Sequence, residues 1–223
     1  MTSTTGAVGW NIPAVIAGAA LPIIFYFKGA DAVPPYLVGA LFFFFVYGMS
    51  FGRDFTGTFN WVVRSITGVV YIALPLACLV LLAGMEHGRL WMIFVFTVVW
   101  SNDTFAYYTG KNLGRHRLAP RISPKKTIEG AVGGLVGGVA ATYIFNRFLG
   151  MGFSAIEVVV VSLVLGVISL AGDLAESMIK RGAGVKDSGS IIPGHGGMLD
   201  RIDSVLFAVP ALYYYLLWRN AMI

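Results

Sequence analysis

The segment AIEVVVVSLVLGVISLAGDLAESMI, residues 155–179, is apolar enough and long enough to cross a bilayer as one helix, for which about 20 residues suffice. Asp173 interrupts it near the end, and Glu176, Ser177 and Lys180 follow at i+3, i+4 and i+7, so all four project from one helical face. An ionisable residue at the centre of a spanning helix costs about 2.5 to 3.5 kcal/mol on insertion scales, and it marks a pathway, a partner or a site. A plain salt bridge from Asp173 to Lys180 or Arg181 is the simpler reading. It leaves unexplained the further acids Asp200 and Asp203.

The rest of the chain has the same character. It is 57% hydrophobic and 12% charged, and its mean hydropathy is +0.77. That composition excludes a soluble domain of this size and makes the bilayer its solvent. Seven candidate spans are legible: 10–27, 36–51, 65–83, 90–108, 127–148, 155–179 and 198–218. The expected fold is an all-α polytopic membrane protein, one transmembrane domain over residues 1–223, with its chemistry between residues 100 and 203. No Lys or Arg precedes the first apolar run, so that run is expected to be retained rather than cleaved as a signal. The single cysteine, Cys78, falls inside the third span and reads as packing.

The 16 Lys and Arg residues divide unevenly between alternate connections. Only Lys28, Arg89, Arg147 and Arg219 fall on one side; the other twelve fall on the side of the N-terminus. Positive charge gathers on the cytoplasmic side, so a cytoplasmic N-terminus and an outside C-terminus are expected. The basic face would meet anionic lipid head groups and nucleotides. The glycines between residues 130 and 138 recur four apart, a spacing that lets helix backbones approach closely. Phe42 to Phe45 and Tyr213 to Tyr215 read as lipid-facing or interfacial anchors.

Asp200 and Asp203 open the seventh helix at i and i+3, and a polar loop separates them from Asp173. Three carboxylates brought together near phosphates suit Mg²⁺, a hard cation held by one or two carboxylates plus substrate oxygens and water. Asp173 and Asp200 are taken as its ligands and Asp203 as a helper, although helix capping would also account for one of the pair. The intervening loop carries six glycines between residues 182 and 197, together with Lys186 and His195, and Arg201 follows it. Backbone without Cβ atoms can point its amides at an anion.

A second basic segment ends in SPKKTIEG, residues 123–130. Ser123 and Pro124 read as the N-cap and first residue of the fifth helix. Lys125 and Lys126 in a first turn would oppose the helix dipole unless an anion binds there. A cluster that only fixes membrane orientation is the alternative. In the fourth span Asp103 and Tyr107 share a face at i and i+4, which gives another intramembrane acid.

Three of these segments carry a resemblance. The order S-x-I-K-R-x4-K-D-x-G-x2-I-P-x-H-G-G-M-x-D-R-I-D from Ser177 to Asp203 resembles the hallmark of the CDP-diacylglycerol synthase (phosphatidate cytidylyltransferase) family. S-P-K-K-T-x-E-G and D-x2-A-Y-x2-G, the latter starting at Asp103, are similar to further motifs of that family and occur in its order. Residues before Trp100 match nothing in it by eye, and the chain is shorter by one or two helices than typical bacterial members. The resemblance implies Mg²⁺-dependent transfer of a cytidylyl group from CTP to phosphatidate, giving CDP-diacylglycerol and pyrophosphate. Asp103, Asp173, Lys180, Asp200 and Asp203 then form the catalytic group, with Asp173 and Asp200 on the metal. Ser123, Lys125, Lys126, Ser177, Arg181, Lys186, His195 and Arg201 become substrate contacts. The setting would be a bacterial or archaeal cytoplasmic membrane, with membrane lipids as neighbours, no nucleic-acid polymer as partner, and a homodimer as an open expectation. Two rivals stand beside this reading. One is a CTP-using enzyme of another lipid, either an ether-lipid phosphate cytidylyltransferase or a polyprenol kinase. The other is a cation-coupled transporter, for which no internal repeat is visible.

Overall fold

The computed structural model describes residues 4–52, 54–150, 152–189 and 197–222. They form two compact units, Met1–Glu86 and His87–Ile223. The motif-bearing stretch 100–203 lies in the second.

In the first unit α1 (Thr4–Lys28) and α2 (Val33–Phe51) are joined through Gly29, whose φ of 69° reverses the chain, and a 3₁₀ turn at Ala30–Ala32. Pro34 and Pro35 open α2, where a missing N–H costs nothing. The Asp54 side chain accepts the Gly57 N–H at 2.6 Å and caps α3 (Phe55–Gly68). A π-helical segment, Val69–Ala73, leads directly into α4 (Leu74–Gly84). Pro75 explains it. Without an N–H it cannot satisfy the Tyr71 carbonyl, and the helix widens so that the Leu74 N–H reaches Val69 instead. The continuous rod Phe55–Gly84 therefore begins ten residues before the span expected from residue 65, because Thr56, Thr58, Asn60 and Arg64 dilute its apolar signal. Phe44, Trp61, Val62 and Val69 form the core that joins α2 to this rod.

The second unit begins with α5 (Gly88–Leu113), passes through a two-stranded antiparallel hairpin, β1 (Arg117–Ala119) and β2 (Ser123–Thr127), and continues as α6 (Ile128–Leu149), α7 (Ala155–Gly182) and α8 (Leu199–Met222). In the hairpin Arg117 faces Thr127 and Ala119 faces Ser123. Helices α5 and α6 form the closest seam. A Cβ at Gly134 would fall 2.7 Å from the Asn102 carbonyl oxygen, and one at Gly137 would enter the Phe105 ring. The four-apart glycines thus serve packing. A capping box between Ser154 and Glu157 starts α7. At the same end of the unit Glu157 accepts from Tyr215 and Arg219 of α8 at 2.7 and 2.6 Å, which fastens α7 to α8.

Among the described residues there are seven helical rods, and five are long and apolar enough to cross a membrane: Asn11–Lys28, Ala30–Phe51, Phe55–Gly84, Ile128–Leu149 and Ala155–Gly182. The chain is an integral membrane protein. The two less apolar rods, α5 and α8, are those that bear Asp103, Asp200 and Asp203.

Candidate active site

Helix α6 starts four residues later than SPKKTIEG suggests. Its N-cap is Thr127, whose hydroxyl accepts the Gly130 N–H at 3.1 Å, and Ser123 and Pro124 belong to β2. Lys125 and Lys126 are therefore strand residues and do not oppose the dipole of α6; Glu129 occupies that first turn, in keeping with it. Strand pairing with β1 outweighed the local Ser-Pro signal. Glu129 also reaches back to the end of α5, accepting the N–H groups of Arg115 at 3.0 Å and His116 at 3.2 Å. Its other oxygen lies 2.6 Å from His116 Nδ1. With Ile128 donating to the His116 carbonyl at 2.9 Å, the hairpin is tied at its base.

This fixes the hairpin over a cleft of about 620 Å³. It is lined by Asp103 of α5 and Asp173 of α7 together with Tyr107, Lys111, Arg117 and Lys125. Lys126 also lines it and forms an ion pair with Asp173. Asp203 of α8 is an electrostatic neighbour of Asp173, Asp103 and Lys126. Lys126 thus contacts one carboxylate, Asp173, and lies within the electrostatic reach of two more, Asp103 and Asp203, from other helices. Asn102, buried beside Asp103, donates to Ser169 at 3.2 Å and to the Gly166 carbonyl at 3.4 Å, fixing the spacing of α5 and α7 behind the acids.

Asp200 has other partners. One oxygen accepts from Lys180 at 2.6 Å, and the other accepts the Ser188 N–H at 2.9 Å, the Ser188 hydroxyl at 2.7 Å and the Gly197 N–H at 2.7 Å. Lys180 is also ion-paired with Glu176, whose side chain is fully buried. The two acids that spacing alone joined have different partners: Asp173 faces the cleft with Asp103, Asp200 clasps the loop between α7 and α8, and Asp203 is an electrostatic neighbour of Asp173 on one side and Glu176 on the other. Lys180 is held within this clasp. Arg181 and Lys186 are exposed, Arg181 donating to the Val185 carbonyl at 3.4 Å. Ser177 and Ser123 are half-buried, Arg201 is exposed on α8, and His195 lies outside the described residues.

Sequence reasoning passed over Asn102, Arg117 and Glu129. The alternation in RHRLAPRIS, with Pro120 at its middle, was a hairpin signal for Arg117. Asn102 had no such signal, since its role depends on a carbonyl in another helix.

The cleft of this polytopic helical protein is thus lined by both acids, Asp103 and Asp173, and bases, Lys111, Arg117, Lys125 and Lys126. The family follows from comparison: residues 3–218 match the cytidylyltransferase family, and the chain belongs to it. The match includes the first hundred residues, which carry none of the motifs. The chain is 42% identical over 131 residues to a phosphatidate cytidylyltransferase of Bacillus subtilis, 59% of this chain and 49% of that protein. It is 47% identical over 128 residues to one of Synechocystis, 57% of this chain and 43% of that protein. With one of Brucella abortus the identity is 43% over 153 residues, 66% of this chain and 55% of that protein. The aligned region spans about half the length of these relatives.

Proposed function

We propose that this chain transfers the cytidylyl group of CTP to phosphatidate, forming CDP-diacylglycerol and pyrophosphate. The observation that carries this reading is the meeting of two of the family-like motifs in one cleft, as Asp103 and as Lys125 with Lys126, together with the intramembrane acid Asp173. The relatives' names supply the substrates.

A phosphate oxygen of phosphatidate attacks the α-phosphorus of CTP, the bond to the β-phosphate oxygen breaks, and pyrophosphate leaves with the electron pair. The nucleophile is already an anion near neutral pH, so no general base is needed. The difficulty is bringing two anions together, and the chain meets it with charge and position. Lys125, Lys111 and Arg117 in the cleft hold phosphate oxygens, Arg117 in the bidentate manner open to a guanidinium. Asn102 and Glu129 keep the helices and the hairpin at a fixed separation.

The acids point to Mg²⁺. Among the described residues no three acidic, His or Cys side chains are close enough to hold one ion by themselves. Mg²⁺ is usually held by one or two carboxylates with phosphate oxygens and water, which suits Asp173 together with Asp103 or Asp203. When bound, the cation would neutralise phosphate charge and polarise the phosphorus. Asp200 is the less suitable donor, since four hydrogen bonds already fill its two oxygens.

The test is purified protein in detergent with Mg²⁺, phosphatidate and CTP labelled in the cytosine, following lipid-soluble label. A labelled CDP-lipid and one pyrophosphate per turnover are expected. Release of CDP with a newly phosphorylated lipid would replace this reading with a CTP-dependent lipid kinase, and turnover with an ether-lipid phosphate but not with phosphatidate would change the substrate. The active face is proposed to be cytoplasmic, from the twelve-to-four distribution of Lys and Arg. A C-terminal alkaline phosphatase fusion should be active; a C-terminal fusion active only in the cytosol would reverse the topology.

A further inference from the structure

The Lys126 ammonium sits where a cation would be wanted. Its nitrogen is buried and, among the described residues, has no hydrogen-bond partner beyond the ion pair with Asp173. Asp103 and Asp203 also lie within its field, so one positive charge stands against three carboxylates. The group keeps a deficit of positive charge that hard oxygen donors would satisfy with a divalent ion. Lys180 shows the contrasting case: its ammonium is bridged by Glu176 and Asp200 and anchored from both sides. Among the described residues Lys126 contacts one acid. It also projects from a hairpin strand on a flexible four-carbon stem with three donors, so its head can move while the backbone stays in place.

We propose that Lys126 is the resident counter-cation of the acid cluster: in the nucleotide-free protein its ammonium keeps the place against Asp173 that a divalent cation takes on arriving with CTP, and this exchange releases Lys126 to a phosphate oxygen. The proposal rests on the cation-dependent reading given above. Its consequence is order. A divalent cation alone must compete with a tethered ammonium at effectively high concentration, whereas the cation–nucleotide pair offers Lys126 a new anionic partner. The cleft would thus stay free of metal until nucleotide is present.

Mn²⁺ serves as the probe, its free-ion electron paramagnetic resonance signal reporting what the full chain in micelles has bound. Without nucleotide, Lys126→Met should bind Mn²⁺ at least about tenfold more tightly than the native protein, because a competing positive charge is gone. Lys126→Arg, which keeps that charge, should stay near native affinity. Added CTP should tighten Mn²⁺ binding by the native protein. A monodisperse Met variant that binds Mn²⁺ no more tightly than the native protein overturns the proposal. If the Met variant aggregates, the native protein decides: saturating Mn²⁺ alone should raise the labelling of Lys126 by an amine-reactive reagent, read by mass spectrometry, and unchanged labelling overturns the exchange. Failure of the native protein to bind Mn²⁺ even with CTP would overturn the cation-dependent reading itself. Mn²⁺ bound with CTP but indifferent to Lys126 would overturn only the exchange.

Discussion

Two lysine–aspartate pairs in the second unit use the same chemistry for opposite ends. In the clasp, Lys180 bridges Glu176 and Asp200, and Asp200 accepts four hydrogen bonds, so both groups are anchored from more than one side. In the cleft, Lys126 meets Asp173 alone among the described residues, near carboxylates that exceed it in number. A satisfied charge network holds a loop. An unsatisfied one attracts a ligand, since half-paired charge away from water is costly until something completes it. Neither pair could be told from the other by residue type or by spacing.

The largest expected effect lies in the cleft. Asp173→Asn keeps size and polarity but removes the charge at the centre of the acid group, and cytidylyl transfer should fall by about 10³-fold or more. Retention of more than a tenth of native turnover would remove Asp173 from the mechanism. A smaller effect is expected at Lys125, which is exposed and free to meet a phosphate. Lys125→Ala should raise KM for CTP about tenfold with kcat little changed, as for one charge-assisted contact made in ground and transition states alike. A fall in kcat at constant KM would assign Lys125 to the transition state instead. The smallest effect belongs to His116→Ala. The imidazole is 73% exposed, and a pair of that kind contributes about 0–1 kcal/mol. The backbone bonds from Arg115 and His116 to Glu129 remain, so both kinetic constants should stay within about twofold. A larger loss would show that the ring, and not the backbone, holds the hairpin.

The seven helical rods were legible because a bilayer leaves a chain so few options: only long apolar helices or closed barrels satisfy every backbone polar group there. Asp103 and Asp173 were legible for the same reason, as acids where acids are costly, whereas Asp203 was read from its spacing to Asp200 at the start of the last helix. The start of the third rod was obscured by Arg64 and the polar residues before it, and its π segment by the absence of any sequence rule beyond Pro75. The hairpin escaped because Ser123-Pro124 is also a good helix start, and only pairing with β1 across a turn decides against it. The division of Asp200 from Asp173 was not legible at all. Both lie on helix ends at plausible spacing, and what separates them is the loop backbone at Ser188 and Gly197 folding onto one carboxylate.

The most direct measurement is the melting temperature of the detergent-solubilised chain with and without Mg²⁺ and CTP, for the native protein, Asp173→Asn and Asp200→Asn. Ligand raises stability only where it binds the folded state. Asp173→Asn should melt near the native temperature and show little or no rise with Mg²⁺ and CTP. Asp200→Asn should lose about 1–3 kcal/mol through weakened charged hydrogen bonds, melt lower, and still rise with ligand. The reverse pattern, with Asp200→Asn unchanged in stability but blind to ligand and Asp173→Asn destabilised but responsive, would contradict the assignment of the cleft to substrate and of the clasp to the fold.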